Sequence, residues 1–406
     1  MTENVLIIGA GGVGSAVAHK CAQHNAELGD ICIAARTTEK CEQVVSSVQR
    51  MGNVQDSAKA LDVAEVDATD SQAVAGLIER SRASMVLNVA SPYCNLGVID
   101  ACLATGAHYL DTAVYEVEGQ INVPPPWYAN HEWKYRDRFR DAGITGVLGI
   151  GFDPGAVNAF CAYADKHLFD TIESIDIMDV NAGDHGRFFA TNFDPETNLR
   201  EIMEDVLFWE RGRWQRIPYM SKSRVYDFPV VGEHRVYSMG HDEIHSISQN
   251  IDAGRVEFWM AFNDRYMQVF ETLEKLGLLS PAPVDVEGTP VVPLKVLKAV
   301  LPDPASLAQG YTGEVCIGCL VKGTREGEPR EVFVYTTCDH TECYREVGSQ
   351  AISYTTAVPM VTAALLVARG DWRVNRLVNV EELDPDPFMA LMPEIGLGWN
   401  VRDGSR

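Results

Sequence analysis

Basic residues are scarce in this 406-residue chain: 34 Lys and Arg stand against 57 Asp and Glu, a formal net charge of −23 at pH 7. The negative charge is spread along the chain without an acidic tail. Such a surface repels phosphate backbones and attracts cations, so nucleic acid is not expected as a partner, whereas a cationic small molecule is compatible. No apolar run reaches membrane-span length, so no membrane partner is expected either. The N-terminus lacks the basic region of a secretory leader, and there is no internal repeat or low-complexity segment. The ten cysteines suggest no disulfide framework. Several fall on apolar faces of expected strands and helices, as free thiols do in a reducing cytosol, and a cytoplasmic location is expected.

One cysteine group has the residue types of a zinc site: Cys316, Cys319, Cys338, His340 and Cys343. Residues 312–321 read as an extended strand, however, and residues three apart on a strand point to opposite faces. No metal is expected.

What the chain does have is a glycine turn placed where a dinucleotide needs it. The strand at 5–8 runs into Gly9-Ala10-Gly11-Gly12-Val13-Gly14, and a small-residue helix follows from Ser15. Gly9 permits the tight turn, Gly11 lets the backbone approach a pyrophosphate, and Gly14 permits close helix–strand contact; Gly12 and Val13 open the helix whose N–H groups face the anion. The next strand, 31–35, is followed by Arg36 and Thr37, with Lys40 close behind, and no acidic residue takes the ribose position. A guanidinium and hydroxyls suit a 2′-phosphate that a carboxylate would repel, so the expected coenzyme is NADP(H).

Strands at 62–68, 85–90, 108–111 and 146–150 alternate with helices at 71–80, 96–105 and 128–142. That alternation implies an α/β fold whose N-terminal part is a doubly wound, parallel Rossmann sheet. From 151 to 349 the strands are longer and alternate in polarity, as expected for a second α+β domain with a mixed or antiparallel sheet. An Ala-, Thr- and Val-rich helix over 350–369 has the look of a buried element that returns to the first domain. The expected division is therefore 1–150 plus 350–406 for coenzyme and 151–349 for substrate and dimerisation.

Candidate site residues follow from the carboxyl edge of the first sheet, where open α/β folds bind ligands. Asn88, Ser91 and Tyr93 follow the fourth strand and are placed beside a nicotinamide. Asp111 ends the fifth strand as a base, an ammonium ligand or a helix cap. Asp153 sits in Gly151-Phe152-Asp153-Pro154-Gly155, a defined turn at the junction of the domains, to position or transfer a proton, or only to close the turn. Asp184, His185, Arg187, Asn192 and Asp194 lie in loops suited to a polar ligand, and His241 opens a further group of the same residue types.

With these motifs assembled, the chain resembles the carboxynorspermidine synthase group of the saccharopine dehydrogenase family. The resemblance rests on the turns at 9–14 and 151–155, Ala-Arg-Thr at 35–37, Tyr-Leu-Asp-Thr at 109–112 and Ala-Gly-Ile-Thr-Gly at 142–146. It extends through 179–186, 190–198, 350–356 and Leu-Asp-Pro-Asp-Pro-Phe at 383–388, nearly the whole chain. The resemblance implies an enzyme that condenses L-aspartate β-semialdehyde with a diamine and reduces the imine with NADPH, as a homodimer. It supplies no fixed catalytic triad; from their places in the turns and loops, Tyr93, Asp111, Asp153 and His185 are expected in the chemistry, and Asp184, Arg187, Asn192, Asp194 and His241 at the substrate. Two alternatives stay open: saccharopine-type imine reduction with a dicarboxylate partner, which needs more Arg or Lys in the cleft, and an NADPH sensor without turnover.

Overall fold

The computed structural model describes residues 3–117 and 123–404. Short apolar runs separated by helices fold as expected into a parallel sheet buried on both faces. Its strands are Val5–Ile8, Ile31–Ala35, Leu61–Glu65, Met85–Asn88, His108–Asp111 and Gly146–Leu148. The first lies between the second and fourth, so the strand order reverses at the end of Val5–Ile8, where the glycine turn begins. A seventh parallel strand, Leu377–Asn379, completes the sheet beside Gly146–Leu148.

The helix expected over 128–142 is broken into Trp127–Asn130, a 3₁₀ turn at Glu132–Tyr135 and Arg136–Ala142. His131 at the break has non-helical angles of φ −136° and ψ −71°. Beside it the buried Glu132 carboxylate turns inward to accept the backbone N–H of Tyr115, a contact a continuous solvated helix would not make.

The second sheet has nine strands and is mixed. Its centre is Thr171–Asn181, parallel to Arg255–Ala261 and antiparallel to Glu314–Arg325. Alternation sets its faces: Ile175 and Ile177 join the helix-covered core, while Met178 and Val180 join a smaller cluster with Trp259 and Phe333 on the other side. Cys316 and Cys319 fall in these two different clusters, as their spacing on a strand requires. Among the described residues, no cluster of His, Cys, Asp or Glu has metal-site geometry.

Helix Ala351–Arg369 does have the length and apolar composition of a membrane span, contrary to the expectation that no segment would. Its most apolar window is 83% buried inside the protein, against the helix Gly12–Gln23 among others, so it serves as a core element. The chain end also departs from expectation. Asn400–Asp403 does not join the nucleotide sheet but pairs antiparallel with Glu328–Asp339 of the second. The C-terminal segment thus contributes one strand to each sheet.

Candidate active site

Helix Gly12–Gln23 starts at Gly11, and its first turn is exposed to one cavity of about 1600 Å³ between the two sheets. A Cβ on Gly14 would stand 2.0 Å from the carbonyl oxygen of Gly9, and Gly9 itself has φ +116°, so the turn closes only with glycine at both positions. A Cβ on Gly11 would meet nothing within 4 Å. That open space over free N–H groups is what a pyrophosphate requires. Gly9, Gly11, Gly12 and Val13 line the cavity, and Arg36, Thr37 and Lys40 line its outer end from the close of the second strand. Arg36 is exposed and lies near enough to Asp67 to help hold that carboxyl below its usual range, behind hydrogen bonds from Thr69. A dinucleotide carrying a 2′-phosphate fits this cradle.

Carboxylates dominate the opposite wall. The turn at 151–155 is closed by Gly151 N–H to Pro154 O (2.8 Å) and Ala156 N–H to Gly151 O (3.0 Å), and Gly155 at φ +138° has no room for a side chain. The turn delivers Asp153 to the cavity. Asp179 comes from the floor strand Thr171–Asn181. Helix Pro195–Met203 and the residue after it supply a stripe at helical spacing, Glu196 and Thr197, Arg200 and Glu201, then Glu204. Asp242 opens the helix Asp242–Asn250 and accepts the Val114 N–H at 2.9 Å.

His241 stands at the centre of this group. Its Nδ1 meets Glu243 Oε2 at 2.5 Å and its ring stacks on Phe258 with centroids 4.1 Å apart, so Nε2 is the nitrogen available to the cavity. Burial alone would lower its pKa, but Glu243, Asp153 and Glu201 together hold it well above the ordinary value, which favours the imidazolium form. The acids shift in the complementary sense. Burial lifts Asp153 well above the carboxylate range, helped by Asp179. Burial also raises Asp179, Glu204 and Asp242 to about 7 and Glu201 to about 8, each tempered or reinforced by charged neighbours. Clusters of carboxyls and one imidazole, shifted apart in this way, can hold and release protons near neutrality.

Of the residues singled out in the sequence, Ser91, Tyr93, Asp153, Asn192, Asp194 and His241 line this cavity. Two of them are already engaged: Asp194 caps helix Pro195–Met203 and pairs with Lys298 at 2.8 Å, and Asn192 Oδ1 accepts the Tyr311 hydroxyl at 2.8 Å. Tyr93 accepts from Arg200 at 3.0 Å.

Five others lie outside the cavity. Asn88 is buried, donating to Asn95 Oδ1 (2.8 Å) and Tyr109 Oη (3.3 Å). Asp111 is buried beneath the turn, where it accepts the Gly149 N–H (2.6 Å) and the Tyr109 hydroxyl (2.8 Å) and burial raises its pKa to about 7. Asp184 and Arg187 are exposed, and the Asp184 carboxylate closes its own loop on Gly186 N–H. His185 Nδ1 accepts the Arg187 N–H while its ring stands edge-on to Tyr311. This loop turns away because residues 184 and 312 are bridged by backbone hydrogen bonds.

Sequence reasoning missed Asp179, Arg200, Glu201 and Glu204, and reached Asp242 only as a member of the group that His241 opens. The stripe after residue 195 carried a readable helical period, and Asp242 adjoins His241. Asp179 gave no local sign, because its face is set by the partners of its strand.

A coenzyme cradle facing proton-bearing groups defines the class: the protein is an NADP-dependent oxidoreductase. Models of the saccharopine dehydrogenase NADP binding domain and of the saccharopine dehydrogenase C-terminal domain match residues 5–147 and 151–397. The chain belongs to the saccharopine dehydrogenase family. It is 51% identical to a carboxynorspermidine synthase of Vibrio alginolyticus over 98% of this chain and 97% of that one. It is 44% identical to a carboxyaminopropylagmatine dehydrogenase of Synechocystis over 98% and 96%. In fold it is similar to the apo saccharopine dehydrogenase (L-Glu forming) of Saccharomyces cerevisiae, with a TM-score of 0.73 at 13% identity, over 99% of this chain and all of that one.

Proposed function

We propose that the chain catalyses NADPH-dependent reductive condensation of L-aspartate β-semialdehyde with a short aliphatic diamine, putrescine or 1,3-diaminopropane, giving a carboxylated polyamine. The observation that carries this reading is the ring of carboxyls around a single imidazolium across the cavity from the glycine turn. Identity of about half to carboxynorspermidine synthases along the full length supports it. A dicarboxylate partner, as in saccharopine-type chemistry, would need cations on this wall, but Arg200 is paired with Glu116, and Lys298 with Asp194 and Glu196.

Residues 1–150 with the returning segment hold the coenzyme, and 151–349 hold the substrates. The turn at 9–14 and the helix N-terminus bind the pyrophosphate, and Arg36, Thr37 and Lys40 bind the 2′-phosphate. The coenzyme supplies a hydride to the substrate's imine carbon. The chain's own residues manage charge and protons. Carboxylates attract the dication and let one amine lose its proton and attack the aldehyde carbon. His241 gives a proton from Nε2 to the departing hydroxyl of the carbinolamine, and Asp153 and Glu201, whose protons the bound diammonium has displaced, stabilise the iminium cation left behind. His241, oriented by Glu243, is then recharged from the surrounding carboxyls.

Val225 and Val230 are exposed on the edge strand Ser223–Phe228 of the second sheet and in the turn after it, and we assign this edge to a homodimer contact. Ten buried cysteines, none in a disulfide, support a cytoplasmic location. Steady-state assays with NADPH, the semialdehyde and each amine test the function. NADPH oxidation that requires both carbonyl and diamine is expected. Oxidation with glutamate in place of the diamine, or none with any amine, overturns it.

A further inference from the structure

Resting on the function proposed above, we propose that Asp179 receives the distal ammonium of the diamine at the bottom of a slot walled by Ile317 and Met260, and that this slot selects chain length. The register of the second sheet sets the three residues abreast: Asp179 is paired with Ile317 on one side and Met260 on the other. Directly paired residues stand on the same face, about 4.8 Å from each neighbour across the strands, and all three line the cavity. The result is one carboxylate flanked by two apolar side chains on the cavity floor.

Asp179 is only 8% exposed, and its Oδ1 has no hydrogen-bond partner among the described residues. A buried carboxylate oxygen without a partner is costly unless a ligand completes it. The chemistry of the surroundings specifies that ligand. Asp153 adds a second acid close enough to sense Asp179, while Ile317 and Met260 offer nothing polar. An alkylammonium satisfies both demands, its charge on the acids and its methylenes along the apolar walls. The other end of the diamine then reaches His241, which also interacts with Asp179 and Asp153. A monoamine reaching His241 would leave Asp179 uncompensated, and a diamine of the wrong length would misplace its reacting nitrogen.

The test compares kcat/KM for propylamine, 1,3-diaminopropane, putrescine and cadaverine at saturating NADPH and semialdehyde. It adds calorimetric titration of the preferred diamine into the NADP complex. Wild type should favour a diamine over propylamine. Asp179→Asn should cut the diamine kcat/KM by roughly 10- to 100-fold, chiefly through KM, and weaken calorimetric binding in step. Its propylamine kcat/KM should fall by clearly less than the diamine kcat/KM, because the charged contact to a second ammonium is lost only for the diamine. Asp179→Glu, which carries the carboxylate one methylene farther out from the floor strand toward His241, should move the optimum toward a shorter diamine. An unchanged diamine-to-propylamine ratio in Asp179→Asn, or an unmoved optimum in Asp179→Glu, overturns the assignment while turnover by wild type leaves the proposed function standing. Absence of NADPH oxidation by wild type with every amine overturns both.

Discussion

Diamine binding should expel protons, and its affinity should climb with pH across neutrality. Burial lifts Asp179 and Asp242 to about 7 and Glu201 to about 8 in the free cavity. At pH 7 these three groups therefore carry protons for a large part of the time, Glu201 more than the two aspartates. A dication seated among them returns the carboxyls toward their ordinary range near 4 and forces these protons into solvent. Both aliphatic amines stay charged until well above neutrality, as lysine does near 10. At least one proton should leave per diamine at pH 7, so affinity should rise by about 10-fold or more per pH unit there and level off above about pH 9. Titration calorimetry in buffers of different ionisation enthalpy counts these protons directly. Heats indifferent to buffer, or net proton uptake, would refute the reasoning.

The same groups set the sign of stability against pH. Their folded pKa values exceed the unfolded ones near 4, so between about 4 and 8 the folded protein binds more protons, and the free protein should lose stability as pH rises. Bound diamine should offset that loss, which paired thermal melts at pH 5.5 and 8.5 would show.

Arg36→Ala should raise the KM for NADPH by about 30- to 150-fold and leave NADH nearly unchanged, since a bidentate contact to phosphate is worth roughly 2–3 kcal/mol. Equal effects on both coenzymes would remove the 2′-phosphate role. His241→Gln should lower kcat by about 10²- to 10⁴-fold with coenzyme binding intact, as expected for a lost proton donor, and a kcat within a few-fold of wild type would exclude it. Asp111→Asn should act on stability and not on chemistry: it weakens bonds to Gly149 N–H and Tyr109 at a cost of about 1–3 kcal/mol, read by denaturant melts, while a kinetic defect without a stability change would restore a catalytic role.

The nucleotide half was legible because its signals are local. Four-residue apolar runs, a glycine turn and the residue after the second strand each carry their meaning within about 30 positions. The substrate half was less so. Its acids converge from a turn at 153, a strand end at 179, a helix face at 200–204 and a helix start at 241–243, and no local pattern states that these meet. Asp111 and His185 had the right chemistry for a site, but tertiary partners claimed them: Gly149 N–H for one, the Arg187 N–H and the Tyr311 ring for the other. The broken helix after 127 was likewise hidden, because the pull on Glu132 comes from Tyr115, on the far side of the turn.

Helix Ala351–Arg369 has a consequence for biosynthesis on the ribosome. Ile352, Ser353, Thr355 and Thr356 line the coenzyme cavity, Ser353 sits where a side chain on Gly12 would otherwise go, and Leu377–Asn379 finishes the sheet. A nascent chain therefore displays its phosphate-binding turn at 9–14 long before residues 352–356 emerge to wall the same cleft. A truncation that stops short of residue 350 should lack that wall and the strand Leu377–Asn379, and so should bind NADPH weakly.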